Sequence, residues 1–188
     1  MIAVIDSSSL LSLVRYYLPF DKSSLLVSCI HEKVKNNEII IIDKVYDEVK
    51  FLAGGIVIKE IPFLAERKHH TKTTEILPYP KFFNQLENQF CQPLIKKKLS
   101  ESEFESVKNN FLESADGKLI LYTLNCINAK KVADIAIVTE ESAASNDNKT
   151  FKKIPAICGI LNIQTMTLPE LLSSYSEIDL NIGNNEYT

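Results

Sequence analysis

A chain of 188 residues is long enough for one domain with a sizeable core, and its 45% hydrophobic and 24% charged content is that of a globular protein. A formal net charge of -3 gives no sign of a bulk nucleic-acid binder, although it leaves a local basic groove open. No apolar run approaches the ~20 residues of a membrane helix, and the N-terminus has no basic n-region, so neither a membrane nor a signal peptide is expected and the location expected is cytoplasmic.

Ile2 to Ile5 is an apolar run too short for a helix and reads as a buried strand of a parallel sheet. Asp6 follows at its carboxyl end, where the functional crevice of an open α/β sheet lies. Ser7-Ser8-Ser9 supplies helix-capping chemistry, and Leu10, Leu11, Leu13 and Val14 begin an apolar helical face. After Pro19-Phe20-Asp21, Ser23 or Ser24 is placed to cap a second helix with Leu26, Ile30 and Val34 inward, ended by Asn36-Asn37. Glu38 to Ile42 is β-branched and extended. Asp43 is placed to cap a helix running to about Leu52 that carries Glu48. Gly54-Gly55 stops it, and Ile56 to Ile61 reads as another strand.

Residues 63–111 form a helical insertion. Its first part, to Pro80, has no clean period and holds His69-His70, which read as an exposed loop rather than a metal pair. Lys81 to Cys91 is amphipathic through Phe82, Phe83, Leu86 and Phe90, with the phenylalanines taken as core. Lys96-Lys97-Lys98 is a short basic run. Ser100-Glu101-Ser102-Glu103 matches a capping box before a helix with Phe104, Val107 and Phe111 inward.

Ser114-Ala115-Asp116-Gly117 opens the next helix, which runs to about Ala129. Asp134 to Thr139 reads as a second buried strand, ending at Glu140-Glu141 as the first ends at Asp6. A polar loop to Lys153 precedes a short helix with Pro155 in its first turn. Ile163 to Met166 is the last strand. Thr167-Leu168-Pro169-Glu170 is a second capping-box match, and from Ser176 the chain is a polar tail. One domain over 1–175 follows, as an α/β/α sandwich around a mainly parallel sheet. Cys29, Cys91, Cys126 and Cys158 are scattered and read as free thiols.

Four acidic stations stand in telling places: Asp6 and Glu140-Glu141 after strands, Glu48 on a helix, and Asp116 at a helix start. Each alone has an ordinary reading. Asp6 would be a cap, Glu48 a solvated charge, Asp116 a first-turn acid favoured by the helix dipole, and Glu140-Glu141 a surface turn. Together they suit a hard divalent cation, Mg²⁺ or Mn²⁺, which neutralises clustered carboxylates and activates water against a phosphodiester.

The chain resembles the PIN-domain nucleases, and within them a bacterial PIN-like group of the DUF4411 type related to toxin ribonucleases. The likeness lies in Val4-Ile5-Asp6-Ser7-Ser8, in Val45-x-x-Glu48, in Ala115-Asp116-x-x-x-Ile120, in Val138-Thr139-x-Glu141, and in Lys153-Ile154-Pro155-x-x-Cys158. The motifs cover both ends of the chain and leave residues 63–111 unassigned. The resemblance implies a PIN-like sandwich and a Mg²⁺- or Mn²⁺-dependent endoribonuclease, the toxin of a toxin–antitoxin pair. Its substrate would be RNA, and it allows an antitoxin partner and a homodimer. Asp6, Glu48, Asp116 and Glu141 are the implied metal and catalytic residues. Ser8 is implied to hold Asp6 and Thr139 to line the metal pocket. The fourth acid is commonly Asp in the family. Glu stands here, so Glu140 is retained as an alternative to Glu141.

Two other classes are weighed. A weakly active or inactive PIN-like module binding RNA or protein would share the fold without needing a metal. Phosphoryl transfer onto Asp6 is disfavoured, because Ser8 stands where a haloacid-dehalogenase phosphatase has a second Asp and Ile5 where a receiver domain has a paired acid. No Gly-rich phosphate loop is present.

Overall fold

Four short strands, β1 (Ile2–Ile5), β2 (Ile39–Ile40), β3 (Ile135–Val138) and β4 (Gln164–Met166), lie parallel in the order β2-β1-β3-β4. The computed structural model describes residues 1–130, 134–144 and 149–178. The polar tail expected beyond Ser176 therefore lies outside the described residues from 179 onward, as does the middle of the loop before Lys153. Ile2 pairs with Ile135 and Ile5 with Val138, which brings the ends of β1 and β3 level. All four β3 side chains are buried, as are Ala3, Val4 and Ile5. Each buried Val or Ile contributes about 1.5–3 kcal/mol. Strands buried on both faces need helices on both sides, and these give the three-layer α/β/α sandwich.

The helices are α1 (Ser7–Ser12), α2 (Leu25–Lys35), α3 (Asp43–Val49), α4 (Ile56–Glu60), α5 (Pro80–Gln85), α6 (Pro93–Lys96), α7 (Glu101–Glu113), α8 (Ala115–Asn128), α9 (Ile154–Leu161) and α10 (Leu168–Ser173). The capping boxes expected at Ser100 and Thr167 form with both of their reciprocal bonds, and Pro155 sits in the first turn of α9. Phe82 and Phe90 are fully buried and Phe104 nearly so, as core residues of the insertion.

Several local expectations are corrected. Ile56 to Ile61 is not a strand: Ile56–Glu60 is α4. Ala53, Gly54 and Gly55 turn the chain through positive φ, and Val57 and Ile61 then fall one helical turn apart and are both buried. The edge such a strand would need beside β2 is occupied. Thr71 bridges Ile42 in parallel, with Thr71 N–H on the Ile41 carbonyl and Asp43 N–H on the Thr71 carbonyl. Asp43 is not the cap of α3 but its first residue. Its carboxylate accepts from Lys44 N and from both the N–H and the hydroxyl of Thr73, latching the insertion to the sheet edge.

Ser24 makes no side-chain cap. Asp21 Oδ2 accepts from Val27 N at 3.1 Å instead. His69 is buried rather than looped out. It lies edge-on to both His31 and Phe63, which stack on each other with centroids 4.2 Å apart. Burial and the neighbouring His31 lower the His69 pKa.

Candidate active site

Asp6 ends β1 and is the N-cap of α1, so the strand-to-helix turn itself fixes the carboxylate. It is 5% exposed, and both oxygens are held. Oδ1 accepts from Ser7 N at 2.7 Å, and Oδ2 accepts from Ser8 Oγ at 2.6 Å and Thr139 Oγ1 at 3.0 Å. Ser8 and Thr139 thus flank Asp6, with their hydroxyls 3.3 Å apart.

The three serines point three ways, because successive residues on a helix are turned by about 100°. Ser8 faces Asp6, and Ser9 Oγ reaches Glu140 Oε1 at 3.5 Å. Ser7 Oγ donates to Glu48 Oε2 at 2.7 Å. Ser7 was not singled out from sequence. Its signal is a small polar residue at the first, buried turn of α1, where the packed helix α3 brings Glu48 within reach.

Asp116 is positioned by the corner between α7 and α8. Ser114 caps α8, accepting from Gly117 N while donating to the Phe111 carbonyl. Gly117 is required there, because a Cβ would lie 2.1 Å from the Phe111 carbonyl oxygen. Lys118, also buried, anchors the same turn through Glu113 and the Ile76 carbonyl. The Asp116 carboxyl is pushed up to about 7. Burial is the largest cause, followed by the charges of Asp6, Glu141 and Glu48, with Lys149 opposing. The four acids therefore share one electrostatic neighbourhood.

Glu140 and Glu141 diverge. Glu140 Oε1 accepts from Leu168 N at 2.7 Å, at the start of α10. Glu141 Oε2 accepts from Ile154 N at 3.1 Å, at the start of α9, and its charge is felt at Asp116. Glu141 N–H in turn donates to Thr139 Oγ1, and Glu140 N–H to Ser8 Oγ. Of the pair, Glu141 belongs with the other three acids, and Glu140 serves as a brace between β3 and α10.

Among the described residues, none of the four acids is in an ion pair. No group of three or more is drawn into ligand geometry either. Four like charges repel one another, which a bound cation or protonation of one of them relieves. The donor set is all oxygen and anionic. That chemistry fits a hard divalent cation held by Asp6, Asp116, Glu141 and Glu48. Of the lysines around the site, Lys149 acts electrostatically on Asp116. Lys152 Nζ is bonded to the Gln89 carbonyl, and Lys96 Nζ to the Glu87 carbonyl above the Phe104 ring. No helix among the described residues is long and apolar enough to cross a membrane.

The match to a family model bears out the DUF4411 part of the group named from the sequence and gives no link to PIN-domain nucleases. Residues 4–177 match the family described as Domain of unknown function (DUF4411), and the chain belongs to that family. No curated protein and no solved structure matches it.

Proposed function

We propose that this DUF4411 member is a PIN-like, Mg²⁺- or Mn²⁺-dependent endoribonuclease that hydrolyses RNA phosphodiester bonds, acting as the cytoplasmic toxin of a toxin–antitoxin pair. The observation that carries the catalytic reading is the state of Asp116. Its carboxyl is raised to about 7 by burial and by three other carboxylates, with no ion pair to relieve it among the described residues. A fold that gathers four carboxylates near the ends of its central strands gives up stability there, and sites that do so are disproportionately functional. The toxin role and the antitoxin partner rest on the resemblance of the motifs alone.

When bound, the cation would neutralise the phosphodiester and lower the pKa of a coordinated water. The chain's own residues do the rest. Asp6, locked by one N–H and two hydroxyls, and Asp116, set by the Gly117 corner, present fixed anionic oxygens. Glu48 is exposed, so it can orient the attacking water and take its proton as the water oxygen bonds to phosphorus. The bond from phosphorus to the leaving sugar oxygen breaks in the same reaction. Glu141 completes the charge set while tethered to the start of α9.

The test is cleavage of a mixed RNA pool with and without Mn²⁺ or Mg²⁺, comparing the native chain with Asp6→Asn and Asp116→Asn. Metal-dependent cutting that both variants lose, with circular dichroism unchanged, is the expected result. If the native chain cuts nothing and calorimetry detects no cation binding, the enzyme reading fails and a PIN-like RNA- or protein-binding module takes its place.

A further inference from the structure

A groove of about 300 Å³ opens along the stretch of chain that follows Glu141, lined by Gln92, Pro93, Ala143, Lys152, Ala156 and Ile160. Its position follows from the chain path. Ala143 lies two residues after Glu141, and α9, which supplies Ala156 and Ile160 one turn apart, begins at the Ile154 N–H held by Glu141. The groove and the acid cluster therefore share one stretch of chain as a common wall. The opposite wall is rigid. Cys91 and Phe151 form an antiparallel bridge, with Gln92 N–H on the Thr150 carbonyl and Lys152 N–H on the Phe90 carbonyl.

The lining chemistry is mixed in an informative way. Pro93, Ala143, Ala156 and Ile160 make an apolar bed. Gln92 offers an amide that both donates and accepts. Lys152 adds one positive charge, its ammonium steadied by a 2.6 Å bond to the Gln89 carbonyl. Among the described residues, no carboxylate lines the groove. An apolar bed for a flat ring, an amide for its edge and a cation for an attached phosphate are the elements that hold an unpaired nucleotide.

We infer that this groove is the subsite for one nucleotide of single-stranded RNA, next to the bond cut at the acid cluster, and that it sets base preference there. The inference rests on the nuclease reading. The base lies against Pro93, Ala156 and Ile160, Gln92 reads its edge, and Lys152 meets its phosphate.

The experiment compares the native chain with Ala156→Phe, which fills the groove, and Gln92→Ala, which removes the edge contact. Cleavage sites on a mixed single-stranded RNA pool are mapped with Mn²⁺ present. The native chain is also given bis(p-nitrophenyl) phosphate, a diester without bases, so that the chemistry is read apart from the groove. For RNA, Ala156→Phe takes up the space of the base and raises KM severalfold with kcat little changed. Gln92→Ala relaxes base preference at one position beside the cut. Unchanged KM and an unchanged site pattern in both variants overturn the inference. Should the native chain hydrolyse neither substrate, the nuclease reading fails instead. The groove is then judged by anisotropy of a fluorescent RNA: weaker binding to Ala156→Phe supports it and equal binding removes it. If Ala156→Phe does not fold, Gln92→Ala and Lys152→Gln decide by the same readouts.

Discussion

Thr139 Oγ1 donates to Asp6 Oδ2 across 3.0 Å, joining the ends of β3 and β1 where the strands stop in register. The same hydroxyl accepts from Glu141 N, so one side chain sets two of the four acids. Thr139→Val keeps the shape and removes both bonds. Mn²⁺ affinity by calorimetry is expected to fall about tenfold, the usual cost of losing an outer-shell hydrogen bond to a metal ligand. Ser8→Ala is expected to cost a similar amount, because its hydroxyl likewise serves Asp6 and one backbone N–H, that of Glu140.

Asp116 titrates near 7 in the folded, metal-free chain, against 3.8 for the free carboxyl. Between those values the native state holds a proton that the unfolded chain has released. Metal-free stability therefore falls as pH rises from about 4 to about 7 and levels off above, by up to roughly 4 kcal/mol from this group. Asp116→Asn removes that dependence. It is expected to raise the Tm of the metal-free protein at pH 8 while abolishing Mn²⁺-dependent cleavage. A lower Tm at pH 8 would contradict it.

Gly117→Ala tests the corner that aims Asp116. The added methyl meets the Phe111 carbonyl and backbone rather than a side chain that could swing away. Overpacking of this kind costs about 1–3 kcal/mol or more, read as a drop in the urea midpoint at unchanged m-value. Gly159→Ala, with no atom near its added Cβ, is the control.

Glu140 and Glu141 are separable by substitution. Glu141→Gln is expected to lose cation binding and cutting. Glu140→Gln weakens the link from β3 to α10, lowers Tm by roughly 2–4 °C, and leaves cutting metal-dependent. The reverse pattern would exchange the two roles assigned from Leu168 N and Ile154 N.

The sheet was legible from sequence because β1 and β3 are short β-branched runs that end in acids, a pattern local enough to see. The capping boxes at Ser100 and Thr167 were legible for the same reason. Ile56 to Ile61 was not. Its β-branched residues suit a strand, and only the positive φ of Gly54 and Gly55, with the edge taken by Thr71, makes it a helix. The acid stations could be named one by one, but their meeting is tertiary. Glu140 and Glu141 are adjacent in sequence, and only the starts of α9 and α10 tell them apart. His69 and Ser7 are buried through packing with α2 and α3, which no local pattern reports.

The bond between Thr139 and Asp6 spans 133 positions of sequence, and β1 lies between a strand that follows it closely and one that follows it late. During synthesis Thr139 leaves the ribosome 133 residues after Asp6, and Glu141 and β4 later still. Long-range parallel pairing is also slow to form. The acid crevice is thus assembled only once β3 has been made. A chain cut short before β3 carries Asp6, Glu48 and even Asp116, yet has no sheet edge on which to bring them together.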